Sequence, residues 1–65
     1  MELKVEEVIK LRRKKLGITQ RQLAQKVGCG EITICRLEYG ENIGIRLVEK
    51  ILDELKIKMV LSIAD

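Results

Sequence analysis

ITQRQLAQKVGCGEITICRLEYG, residues 18–40, carries two short helical patterns with only Gly28, Cys29 and Gly30 between them. The first opens on strong local chemistry. Thr19 can cap the free amides of a helix start, Gln22 three residues later completes a capping box, and Ile18 with Leu23 supplies the apolar pair that flanks such a start. Gly28 suits the left-handed conformation that follows a helix, so this helix is expected over Gln20–Val27. The second is expected over residues 31–39, stopped by Gly40. At about 100° per residue, Ile34 and Leu37 share one side of it. Glu31, Cys35, Ile32 and Arg36 occupy an arc of about 140° on the other, with Thr33 at its border. One face packs, and the other is presented outward.

Working towards the N-terminus, Val5, Ile9 and Leu16 fall on one helical face, widened by Val8 and Leu11, which predicts a helix over residues 3–15. Towards the C-terminus, Ile45, Val48, Ile51, Leu52 and Leu55 recur at intervals of three and four, which predicts a helix over residues 45–56. Asn42 and Gly44 are both candidates for its cap. The last segment, IKMVLSIAD, changes period. Ile57, Met59, Leu61 and Ile63 alternate with Lys58, Val60, Ser62 and Ala64, the pattern of a strand with one apolar face. No second strand is apparent in the chain. An unpaired strand exposes its backbone groups, so this one is expected to pair with its copy in a two-fold dimer. The expected organisation is one all-α, four-helix domain over residues 1–56 and a dimerisation strand over residues 57–65.

Composition narrows the chemistry. With 46% hydrophobic residues, one Tyr and no Phe or Trp, the core must be aliphatic, and base stacking on aromatic platforms is not expected. Sixty-five residues make a domain of marginal stability. The net charge of +3 is unevenly spread. Residues 1–30 hold eight Lys/Arg against three Glu, and residues 31–65 hold five Lys/Arg against seven acids. Within the basic half, KLRRKK at residues 10–15 suits phosphate contact and would equally suit a solvated helix surface. Two cysteines without any His cannot complete a four-ligand zinc site by themselves, so two free thiols in a reducing cytoplasm are expected, with no metal or cofactor. No apolar run reaches the roughly 18 residues that span a bilayer, and the N-terminus does not read as a signal sequence. With no His, one Ser and no phosphate-cradling glycine loop, an enzyme is not expected.

GITQRQLAQKVG (residues 17–28) followed by TICRLEYG (residues 33–40) resembles the Cro/phage-repressor helix-turn-helix family, also called the xenobiotic-response-element family. The resemblance covers residues 9–55. Its family-like positions are Thr19, Gln20, Leu23, Ala24, Gly28, Ile34, Leu37, Glu38 and Gly40. It implies a lambda-repressor-like fold and a homodimeric, sequence-specific transcriptional repressor whose third helix enters the major groove of a palindromic operator. The base readers by position would be Glu31, Ile32, Thr33 and Arg36, with Arg36 suited to a guanine, Ile32 to a thymine methyl and Glu31 to a cytosine amino group. Gln20 would meet phosphate at a helix N-terminus, joined by Arg21, Arg12 and Lys15. An ion pair between Arg13 and Glu38 would tie the third helix to the first. Arg12 stands where the family usually has an apolar residue, which puts the packing of that turn in question. Gly30 replaces the usual Ser or Thr cap. Cys29 reads as a core residue. Cys35 reads as either a small bystander or a redox-sensitive contact. The apolar C-terminal strand and the KLRR run also resemble HipB-like antitoxins, which implies a toxin protein as an alternative chief partner.

Overall fold

The computed structural model describes residues 4–58. Four helices follow one another: α1 (Val5–Lys15), α2 (Gln20–Val27), α3 (Glu31–Glu38) and α4 (Ile45–Glu54). The fold is all-α, as the sequence implies, and no strand occurs among the described residues. The strand expected over residues 57–65 lies outside them, apart from Ile57 and Lys58.

Each start has its own chemistry. In α1, Glu6 and Glu7 occupy the first turn and Arg12, Arg13, Lys14 and Lys15 the last, an arrangement that complements the helix dipole at both ends. The capping box of α2 forms as expected: the Gln22 amide donates to Thr19 Oγ1 at 3.0 Å, and the Thr19 amide donates to Gln22 Oε1 at 2.9 Å. Thr19→Ala removes an acceptor that the open end of α2 relies on. It should cost about 1 kcal/mol, read as a fall in Tm of about 4–8 °C. The α4 cap is Gly44, and the Asn42 side chain supports it by accepting the Gly44 amide at 3.2 Å. Both candidates therefore take part.

All four helices end the same way. The chain passes through a residue of positive φ, at Gly17, Gly28, Gly40 and Lys56. The next amide then donates back to the carbonyl five residues earlier: Ile18 to Arg13 at 3.1 Å, Cys29 to Ala24 at 2.9 Å, Glu41 to Arg36 at 3.0 Å and Ile57 to Leu52 at 2.9 Å. This is the Schellman closure, which usually brings the residue after the turn into apolar contact with the helix it leaves. Ile18, Cys29 and Ile57 do pack against the core, and Glu41 is exposed. Ile57, expected as the first apolar residue of a dimerisation strand, thus serves the end of α4 in its own chain.

The core is aliphatic throughout: Ile9, Leu23, Ala24, Val27, Ile34, Leu37, Ile51, Leu52 and Leu55 are buried together. Ala24 of α2 is part of this core, where its small side chain leaves room for the neighbouring helices. In α1 the buried face is narrower than expected. Ile9 is inaccessible and Arg13, one turn later, is buried, while Val5, Leu11 and Leu16 remain exposed. Leu11 lies about 200° from Ile9 around the helix, so it cannot face the same neighbours. Leu16 caps the helix rather than belonging to it.

Candidate nucleic-acid interface

Because Ile34 and Leu37 are fixed in the core, the opposite side of α3 is turned outward. Glu31, Ile32 and Arg36 are exposed there, with Ile32 at 64%. Thr33 and Cys35 are half-buried at the margins. The four residues expected to read bases therefore share one outward strip, with Thr33 the least accessible. An exposed isoleucine beside an arginine provides both kinds of contact that base edges accept, a methyl-seeking surface and a forked donor.

A buried ion pair sets the orientation of this strip. Arg13 of α1 meets Glu38 of α3 through two bonds, Nε to Oε2 at 2.7 Å and Nη2 to Oε1 at 3.0 Å. Their side chains are 10% and 3% exposed. Gln20 Nε2 adds a third donor to Glu38 at 3.1 Å, and Arg13 Nη1 donates to the Ile18 carbonyl at 2.8 Å. One carboxylate thereby joins the end of α1, the start of α2 and the end of α3. Burial pushes the Glu38 carboxyl up, but the hydrogen bonds from Arg13 and Gln20, together with the charges of Arg13 and Lys10, outweigh it and hold its pKa below the ordinary 4.5. Glu38 thus remains ionised and the pair remains locked at neutral pH.

The expected phosphate contacts separate into two groups. Lys15 and Arg21 are exposed. Arg12 is half-buried and its Nε donates to the Leu55 carbonyl at 3.0 Å. There it binds the C-terminal end of α4, where a cation is favoured. The charged residue that looked out of place in the packing is accommodated because its head closes a helix end. Gln20 donates one N–H of its side-chain amide to Glu38, and its second N–H can still donate to a phosphate. The backbone amides of Gln20 and Arg21 have no acceptor within the helix and add to the anion-binding capacity of this helix start, while the Gln22 amide is taken by Thr19. The sequence carried no signal for either commitment, since both depend on which carbonyl or carboxylate the fold brings near.

Tyr39 was not among the residues expected here. It follows α3 directly and is 86% exposed. Its position on the outward end of α3 was implicit in the helix pattern, but the stop at Gly40 drew attention away from it. Cys29 and Cys35 are both free thiols and both half-buried. Burial raises the Cys29 pKa, so this thiol stays protonated and packs as a small apolar group. Among the described residues no group of three or more His, Cys, Asp and Glu side chains is placed to hold a metal ion. No helix of the described residues is long and apolar enough to cross a membrane.

A short capped helix, a three-residue turn and a second helix with one locked and one open face define a DNA-binding helix-turn-helix unit. A family model described as "Helix-turn-helix" matches residues 9–61. The chain belongs to this family, the Cro/C1-type or xenobiotic-response-element regulators, and is a DNA-binding transcription regulator. No curated protein matches the chain.

Proposed function

We propose that the protein is a homodimeric repressor that reads a near-palindromic operator, with α3 of each copy in a major groove. The observation that carries this reading is the Arg13–Glu38 pair. This buried, bidentate pair fixes the end of α3 to α1 and so sets the direction in which its free face points. Arg36 takes a guanine, Ile32 covers a thymine methyl, and Glu31 accepts from a cytosine amino group, with Thr33 at the border of the strip. Lys15, Arg21 and the first-turn amides of α2 hold the backbone and set the register. The apolar residues Met59, Leu61 and Ile63 join two copies, so that half-sites lie about 34–36 Å apart. The protein works in the cytoplasm, where both thiols stay reduced.

The test is selection from a pool of random duplexes at two salt concentrations, with the bound fraction sequenced. The expected result is an inverted repeat, bound by a dimer. Lys15→Ala and Arg21→Ala should each lower the slope of log K against log salt by about 1, with little change in the recovered sequence. Unenriched sequence, bound by a monomer with salt-sensitive affinity alone, rejects the reading.

A further inference from the structure

We propose that Glu41 is a positioning residue that makes Arg36 selective for a guanine over a phosphate; this rests on the reading of α3 as the base-contacting helix. The observation is the exception among the four helix ends. After α1, α2 and α4, the residue that closes the Schellman turn is apolar and packs on the core. After α3 it is Glu41, exposed, with its carboxylate 3.8 Å from Arg36 Nε. These two side chains come from the two positions that the motif normally joins by apolar contact.

The placement is built into the backbone. The Glu41 amide donates to the Arg36 carbonyl at 3.0 Å, and the Gly40 amide donates to the Leu37 carbonyl at 2.9 Å. Gly40 has φ 100°, a conformation that other residues rarely adopt, so the turn that brings Glu41 back over α3 is fixed by sequence. Both side chains stay more than 60% exposed, with values of 64% and 62%, so the pair adds little to stability. Its consequence falls on what Arg36 can bind.

Arg36 is the only cation on the outward strip, and Glu31 and Glu41 lie at either end of α3. A phosphate approaching the guanidinium must also approach the Glu41 carboxylate, and like charges repel. A guanine edge presents N7 and O6, which accept hydrogen bonds without carrying a net charge, so the penalty is smaller. The nearest approach of the Glu41 carboxylate to the guanidinium is at Nε, and at 3.8 Å it takes up no hydrogen bond of the fork. The pair therefore suppresses the commonest wrong contact and holds the forked donor for the right one. General attraction to the backbone is left to α1 and α2, where Lys14, Lys15 and Arg21 are exposed.

The experiment measures Kd for the selected duplex and for a random-sequence duplex of equal length, at one salt concentration. It compares the wild type, Glu41→Gln, Arg36→Ala and the double variant, with thermal unfolding of each. Glu41→Gln should keep the wild-type Tm and lower the ratio of specific to non-specific affinity by up to about five-fold, the upper end for an exposed charge pair, chiefly by tightening the random duplex. In the Arg36→Ala background the same change should leave the ratio unaltered. An equal shift for both duplexes, or a change in ratio that persists without Arg36, overturns the assignment while the operator reading stands. A wild-type protein that does not distinguish the two duplexes overturns both.

Discussion

Glu38→Ala should cost about 3–5 kcal/mol and leave the protein largely unfolded at 37 °C, as followed by helical circular dichroism in a urea titration. The substitution strands a guanidinium in a residue only 8% exposed, and it removes the acceptor that fixes the Gln20 amide. Small domains have few kcal/mol to lose. Arg13→Met combined with Glu38→Leu should recover much of the loss, because an apolar pair of similar volume leaves no buried charge without a partner. Recovery of stability with loss of operator selectivity would show that the ion pair serves the direction of α3 more than its attachment. The same carboxylate sets an acid limit. Its pKa is lower in the folded chain than in the unfolded one, so its contribution is fully present above the ordinary 4.5 and is lost as the pH falls through the lower, folded value. Glu38→Gln should abolish that part of the acid dependence, seen as a flatter plot of Tm against pH below 4.5.

Arg36→Ala should lower affinity for the selected duplex by about five- to 150-fold, the range of about 1–3 kcal/mol for a good bidentate base contact. Binding to random duplex should fall far less, and repeated selection with the variant should return a site degenerate at one position in each half. The side chain is 64% exposed and contributes nothing to the core, so Tm should hold. Equal losses on both duplexes would make Arg36 a backbone contact and move the base-reading role to Ile32 and Glu31.

Local signals made α2 and α3 legible in the sequence. The Thr19 and Gln22 box and the glycine after each helix are decided within five residues, so Gln20–Val27 is found where it was expected and α3 ends one residue earlier, with Tyr39 as its cap. The outward strip followed from the same periodicity, since burying Ile34 and Leu37 leaves only one direction for Arg36. The Arg13–Glu38 pair was legible through resemblance alone, because nothing local says that two charges 25 residues apart will meet. The arginines of α1 were the hardest to read. Arg12 and Arg13 are adjacent, equally charged and in the same basic run, yet one closes α4 and the other anchors α3. Composition treats them as interchangeable, and the helix period separates them, since Arg13 stands one turn after the buried Ile9 and Arg12 lies about 100° away around the helix. Leu11 and Leu16 show the converse, since apolar residues within a helical pattern stay exposed when the helix has too few neighbours to cover them.

Tyr39 gives the molecule an optical property that no other residue can confuse. It is the only aromatic side chain in the sequence, so all near-ultraviolet absorption by aromatic rings and all tyrosine emission come from a single phenol. That phenol lies at the outward end of α3, 86% exposed and three residues from Arg36. A change in its emission on mixing with a duplex, once absorption by the bases is allowed for, reports from one known point on the protein surface without a label and without a second protein fluorophore. The protein thus carries a spectroscopic probe at the end of its own recognition helix.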